Sequence, residues 1–380
     1  MIIPIKLLRP KKMKILFIIT SWDFGGAEMQ VALLAKKMLQ LGHKVKIVSM
    51  IKPNKAFCQK YPYLKNYVIH LNMTRGIPNP LAIYKLIKII KKFKPNVIHA
   101  HMIHAIILSR ITKLFYKPAK IISTAHSINE GGKLRNLMYR YTDFLSDVNT
   151  NVSKKGVNEY IEKGLFSKNK SLFVPNGIAL SKEKNYILEN TSNLALKKMF
   201  DFKENDIILL AVGRLTEAKD YDNLINAINF LDNKNLKLLI AGTGHLKNKI
   251  QNKINKFRLQ NNIKLLGLRN DIIFLMKNAD FFVMSSAWEG LPIVLLEATS
   301  VGLPAVVTDV GGNKEIIEND KNGYVVPPNN FKSLANKIDV IINKERSERK
   351  KFGEFSIKKI HNEYEIDVVV KKWLEIYEKA

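Results

Sequence analysis

The chain has 380 residues, of which 46% are hydrophobic and 25% charged, and carries a formal net charge of +29. This composition excludes a disordered chain, and the length exceeds one ordinary domain, so two α/β domains of usual size are expected. The single cysteine, Cys58, excludes an internal disulfide and suits a reducing cytoplasm, and no apolar run approaches the ~20 residues of a membrane span.

Residues 1–12 hold neither a long apolar core nor a small-residue cleavage site, and read as an extended start or a basic tail rather than a signal peptide. Strand-like runs follow at Ile15–Thr20, Val45–Met50, Val97–His99, Ile121–Ala125 and Val148–Val152. Helical periodicity covers Ala27–Leu41 and Leu81–Phe93, the latter placing Lys85, Lys88, Lys91 and Lys92 around an apolar stripe of Tyr84, Ile87 and Ile90. Charges are sparse inside the strands, as parallel strands buried on both faces require. The rhythm fails over 181–205, a polar stretch read as a linker between a first domain at 13–180 and a second at 206–350. Strands of the second series are expected at Ile207–Val212, Leu236–Ala241, Ile263–Leu266, Phe281–Met284, Ala305–Thr308 and Tyr324–Val326. The tail, 351–380, reads as helices free to fold back on the first domain. The expected architecture is α/β, two Rossmann-like doubly wound parallel sheets facing a cleft, with ligands at the carboxyl ends of the strands.

The charge is unevenly placed. Of the 62 Lys and Arg and 33 Asp and Glu, 31 and 7 fall within residues 1–180. From Met29 to Asn129 there is no carboxylate, against 18 basic side chains. An anionic membrane surface or a nucleic acid would answer such a field, and a lysine-rich composition used for solubility is the plain alternative. The aromatic-rich basic platform or recognition helix of a nucleic-acid binder is missing, so no nucleic-acid partner is expected.

The strongest local motif runs from Ser285 to Glu297, after the apolar strand Phe281–Met284. It places Glu289 in a loop and Glu297 about two turns into a helix. A carboxylate beyond a strand end can meet sugar hydroxyls or a developing positive anomeric carbon, and a second can accept from two ribose hydroxyls. The helix start between them, at Gly290, Leu291 and Ile293, offers free N–H groups to a diphosphate. A solvated pair of acids flanking an amphipathic helix is the plain reading. After the first strand of the second series, Gly213-Arg214 and Lys219 can clamp two phosphates, Arg214 by its fork and Lys219 as a point charge. Asp220-Tyr221-Asp222 spells a metal-chelating Asp-x-Asp but opens a helix, where acids favour the dipole, so no metal is expected. Gly25-Gly26-Ala27-Glu28 permits close backbone approach to a ligand or simply a tight turn. Gly242-Thr243-Gly244 lacks the third glycine of the dinucleotide fingerprint. His126 ends a strand at the cleft, where it either bonds a sugar hydroxyl or serves the core. His99, His101 and His104 lack a Cys or carboxylate partner at metal-ligand spacing.

Together these residues resemble glycosyltransferase family 4, the retaining GT-B enzymes of bacterial lipopolysaccharide, capsule and O-antigen synthesis. The resemblance runs from about Met13 to Val326, with Val174-Pro175-Asn176-Gly177-Ile178 and Asp309-Val310-Gly311-Gly312…Glu315 as further anchors in family order. It implies metal-independent transfer, without cofactor, from a nucleotide sugar, by family frequency a UDP-sugar. It assigns Arg214 and Lys219 to the diphosphate, with N–H groups near Gly25, Gly26, Gly290, Leu291 and Ile293. Glu297 falls to the ribose, and Glu289 and His126 to the transferred hexosyl or N-acetylhexosaminyl group. It further implies a lipid-linked or oligosaccharide acceptor and a cytoplasmic protein peripheral to the inner face of the membrane. The family's usual Glu-Gly-Phe-Gly reads Glu289-Gly290-Leu291-Pro292 here, and Lys219 is followed by Asp220 rather than glycine. A nucleotide-sugar epimerase of related architecture is the competing enzyme class.

Overall fold

Apolar runs such as Lys14–Ile19 and Ile207–Val212 leave water only if both faces of their strands are covered, and each becomes an inner strand of a parallel sheet. The computed structural model describes residues 12–74, 80–116, 120–128, 130–180 and 193–379. The first lobe contains β1 (Lys14–Ile19), α1 (Gly26–Gln40), β2 (Lys44–Ser49), α2 (Lys55–Lys60), β3 (Val68–His70), α3 (Pro80–Phe93), β4 (Val97–His101), α4 (Ile103–Phe115), β5 (Lys120–Ala125), α5 (Lys133–Thr142), β6 (Val148–Asn151), α6 (Lys154–Glu162) and β7 (Ser171–Phe173). Its strands are parallel in the order β3-β2-β1-β4-β5-β6-β7.

The second lobe contains α7 (Leu194–Phe200), β8 (Ile207–Val212), α8 (Tyr221–Leu231), β9 (Leu236–Ala241), α9 (Lys247–Lys256), β10 (Ile263–Gly267), α10 (Ile272–Asn278), β11 (Phe281–Met284), α11 (Ile293–Ser300), β12 (Ala305–Thr308), α12 (Asn313–Ile316), β13 (Gly323–Val326) and α13 (Phe331–Ile342). Its parallel order is β10-β9-β8-β11-β12-β13. In both sheets the order reverses beside the first strand, leaving a crevice at the carboxyl ends between β1 and β4 and between β8 and β11. Two helices close the chain, α14 (Arg346–Glu363) and α15 (Ile366–Lys379).

The segment read as linker, 181–205, holds α7, whose Leu196 is buried in the core of the second sheet with Phe200 and Phe202 packed beside it. Residues 181–192 lie outside the described residues. In α3 the buried stripe is Ala82, Leu86 and Ile90. Tyr84 faces outward at 65% exposure, so the stripe expected from Tyr84, Ile87 and Ile90 is corrected by roughly one position. The physical reason is that Leu and Ala at the same helical phase pack closer to the sheet than the long phenol. β4 runs two residues beyond the expected His99, because His99 and His101 find partners within the lobe.

α15 returns to the first lobe, where Ile366, Val369, Val370, Trp373 and Tyr377 join the core under α1. Trp373 is 2% exposed, its ring 4.3 Å from that of His99. The Tyr377 hydroxyl pairs with His99 Nδ1 at 2.7 Å, and His99 Nε2 with Thr124 Oγ1 at 2.7 Å. The last helix of the chain is therefore part of the first lobe's core. Trp373→Ala is expected to cost about 3–5 kcal/mol through the cavity it leaves. Hydrogen exchange checks the placement: protection should fall in β1 and β4 while β8 to β13 keep theirs.

Candidate active site

The site lies where the carboxyl ends of the two sheets meet, and it is built largely from backbone. A Cβ on Gly290 would overlap the carbonyl oxygen of His126 and lie 3.2 Å from Val152 Cγ2. Only glycine permits the loop after β11 to rest on the end of β5. Gly312 donates its N–H to the Gly290 carbonyl at 2.6 Å, and Asn176 Nδ2 donates to the Leu291 carbonyl at 2.8 Å. Across the same seam Glu315 Oε1 accepts the Lys154 N–H at 2.6 Å, capping the start of α6 from the opposite lobe. Burial raises the Glu315 carboxyl above its ordinary range, against the pull of that cap.

Lys219 and Glu289 come together. Ser285 Oγ donates to the carbonyls of Lys219 and Asp220 at 2.9 Å, and the Ala287 N–H to that of Ala218 at 2.9 Å. These bonds lace the loop after β8 to the loop after β11. Lys219 Nζ then pairs with Glu289 Oε1 at 2.6 Å, and Ser286 Oγ donates to the same oxygen at 2.8 Å. Both charged side chains are only about one-seventh exposed, at 15% and 14%. Arg214 is exposed on the same loop and lies within electrostatic reach of Glu28 in the first lobe.

The glycine turn after β1 meets this surface from the other side. Gly25 is the N-cap of α1, and Ile293 Cδ1 comes within 3.8 Å of where a Cβ on Gly26 would stand. The starts of α1 and α11 therefore lie side by side, each with first-turn N–H groups that no intrahelical carbonyl reaches. Gly25 has no room for a side chain because the Glu28 carboxylate folds back over it, held by Ser21 Oγ at 2.5 Å. Leu291 is a core residue, 3% exposed, whose side chain joins the apolar cluster that includes Val152 of the first lobe. Pro292 is the N-cap of α11 and supplies no N–H.

Glu297 lies just over one turn into α11, closer to its start than the two turns expected from sequence, because the helix begins at Ile293. Burial pushes its carboxyl up to about 7, and the Lys60 ammonium of α2 pulls the other way. Lys60 and Tyr61, both within electrostatic reach of Glu297, carry no sequence signal that marks them. Glu130 is a second residue that the motifs passed over. Its carboxylate accepts the His126 N–H at 2.9 Å and the Tyr139 hydroxyl at 2.5 Å, and burial raises it. One signal was available: Glu28 and Glu130 bound the carboxylate-free stretch, and Glu28 ends up buried and Glu130 half-buried, both raised by loss of solvent. His126 ends β5 at the seam, burial pushing its imidazole down to about 4.

Asp220 caps α8 through the Asn223 N–H, and Asp222 sits between Lys249 and Lys253. Among the described residues no group of three His, Cys, Asp or Glu is arranged to hold a metal ion. Gly242 and Gly244 pack against the backbone of Gly213 and Leu215, which accounts for both glycines without a dinucleotide.

Two family models match this chain in series. Glycosyltransferase Family 4 covers residues 24–182, and Glycosyl transferases group 1 covers 192–359. The chain belongs to glycosyltransferase family 4 and has the GT-B fold. An uncharacterized glycosyltransferase of Methanocaldococcus jannaschii is 35% identical over 254 residues, 62% of this chain and 61% of its own length. The UDP-Gal:alpha-D-GlcNAc-diphosphoundecaprenol alpha-1,3-galactosyltransferase of Escherichia coli is 29% identical over 281 residues, 71% of each chain. In fold, Anabaena HepE, solved in complex with UDP and glucose, superposes with a TM-score of 0.83 at 18% identity, over 97% of this chain and all of that one.

Glu297 gives a test of the site's electrostatics. Between its ordinary 4.5 and about 7 the folded chain holds a proton that the unfolded chain has released. The stabilising contribution is therefore complete below 4.5 and is lost as pH rises through 7. Above that the buried charge costs roughly 3 kcal/mol relative to a solvated carboxylate. Denaturant unfolding of Glu297→Gln should show a gain over the native protein at pH 8 that vanishes toward pH 4.5. Equal stability at both pH values would mean an ordinary carboxylate.

Proposed function

We propose that this chain is a retaining, metal-independent glycosyltransferase. Its donor is a UDP-sugar, and it passes a hexosyl or N-acetylhexosaminyl group to a lipid-linked saccharide of cell-surface polysaccharide synthesis. The observation that carries the reading is the meeting, at one seam, of two cations, two helix starts and two carboxylates. Arg214, Lys219 and the first-turn N–H groups of α1 and α11 match a diphosphate. In this reading Glu297 takes the ribose hydroxyls and Glu289 the sugar. We read the second lobe as the donor side and the first, residues 13–180, as the acceptor side. The names of the relatives favour transfer over epimerisation.

In this reading the bond from the anomeric carbon to the diphosphate oxygen breaks as the acceptor hydroxyl approaches the same face. The departing diphosphate takes the acceptor proton, so no separate base is required. Positive charge growing on the sugar is met by Glu289, and negative charge growing on the diphosphate by Arg214 and Lys219. Lys219, paired with Glu289, turns toward the diphosphate when the donor enters.

Glu289→Gln should lower UDP release from the productive UDP-sugar by about 100-fold or more. UDP affinity should hold or rise, because Lys219 is freed from the carboxylate. Lys219→Ala should weaken UDP more than uridine. The rate should survive excess chelator, and strict dependence on magnesium or manganese would count against the mechanism.

The acceptor side carries the membrane part of the proposal. Lys85, Lys88, Lys91 and Lys92 are exposed on α3, and Leu134, Tyr141 and Phe144 stand out from α5 and the turn after it at 68–71% exposure. No helix among the described residues is long and apolar enough to cross a membrane. Basic side chains beside exposed apolar ones suit an anionic bilayer surface, each nearby Lys adding about 1 kcal/mol before screening. The protein should sediment with phosphatidylglycerol vesicles at low salt, and less so when the four lysines are changed to Gln. Equal binding to phosphatidylcholine vesicles would reduce the charge to composition.

A further inference from the structure

His101 and His126 end adjacent strands, and their rings are joined. His101 Nδ1 and His126 Nε2 are 2.9 Å apart, so a single proton lies between two imidazole nitrogens. We propose that His101 is a positioning residue for His126: it donates that proton and so holds His126 as the Nδ1–H tautomer, making the first lobe's contribution to the sugar site a hydrogen-bond donor. The functional half of this statement rests on the reading of the cleft given above.

The direction of the bond follows from the far side of His101. Its Nε2 is buried and has no hydrogen-bond partner among the described residues. If His126 were the donor, His101 would carry its proton on Nε2, and a buried N–H would go unsatisfied at a cost of roughly 1–3 kcal/mol. Among buried backbone groups an orphaned N–H is rarer than an under-satisfied acceptor, and we take the same order for the two imidazole nitrogens. The proton therefore belongs on His101 Nδ1, and the tautomer of His126 follows from the bond its Nε2 accepts. A doubly protonated ring offers no escape near neutral pH, because burial holds both imidazoles below their ordinary range.

His101 is also unable to turn over. It is 1% exposed, with the His99 ring at 4.0 Å and the Phe17 ring at 6.0 Å between centroids. His99 is itself fixed at both nitrogens by Tyr377 and Thr124, and Thr124 by Thr150 at 2.6 Å. The backbone of His126 is fixed separately, by Glu130 at its N–H and by Gly290 against its carbonyl. What remains undetermined for His126 is the ring, and His101 sets it.

Selective ¹⁵N-histidine labelling reads the tautomer directly, with the His126 signals assigned by their loss in His126→Gln. The native protein should show a protonated Nδ1 and an unprotonated Nε2 at His126. In His101→Leu the signals should move toward the Nε2–H form, and UDP release from the productive member of a panel of UDP-glucose, UDP-galactose and UDP-N-acetylglucosamine should fall roughly 10- to 100-fold with UDP affinity held. His101→Asn keeps an N–H near the position of Nδ1 and should restore both tautomer and rate. An Nε2–H His126 in the native protein overturns the inference, as does a rate loss in the Leu variant that leaves the tautomer unmoved and that Asn does not rescue. If His126→Ala releases UDP at the native rate, the reading of the cleft fails instead, and the tautomer assignment stands.

Discussion

Everything at this site depends on one contact without side chains, the Gly290 backbone lying on the His126 carbonyl. Because nothing projects from Gly290, the loop after β11 can approach the end of β5 at backbone distance. Glu289 is then one residue away from the first lobe. Gly312 and Asn176 bond the carbonyls of Gly290 and Leu291 on either side of the contact. Glu315 caps α6 across the same seam, so a carboxylate of one lobe completes a helix of the other. These are polar bonds between elements far apart in the chain, and they fix the carboxyl ends of two sheets relative to each other.

Most lysines of the first lobe are exposed, but Arg110 is buried beside Asp143, and Glu28 and Glu130, at the two edges of the carboxylate-free stretch, turn inward. Each is raised by burial and compensated by a neighbouring hydroxyl, Ser21 or Tyr139. Buried carboxylates of this kind are tolerated only where their lone pairs are met. In the second lobe Lys219 is paired with Glu289, while Glu297 is raised by burial. The cleft therefore combines carboxyls raised by burial with a cation paired to a carboxylate.

Much of this was legible in the residue order. Apolar runs separated by helical periodicity specify parallel strands, and the glycine turns and carboxylates that follow β1, β8 and β11 mark the strand ends that face the cleft. Amphipathic phase was less secure. In α3 the counted pattern admits either Tyr84 or Leu86 to the buried stripe, and the choice depends on how closely the neighbouring sheet can approach. The polar stretch before β8 conceals α7, because one buried apolar residue, Leu196, anchors a turn whose neighbours are lysines.

The sequence by itself determined the two sheets, the order of their strands' motifs and the residue types waiting at the strand ends, since periodicity and local turn chemistry act over a few residues. It left His101 as an unpartnered histidine, Glu130 as an ordinary acid and Lys60 as one lysine among many. Glu130 reaches the His126 N–H from four residues away, but the placement of His101 beside His126 and of Lys60 near Glu297 arises only from the tertiary structure. Hydrogen bonds and burial between residues 25 or more positions apart leave no period in the chain, and a pKa or a tautomer is set by what surrounds a group after folding.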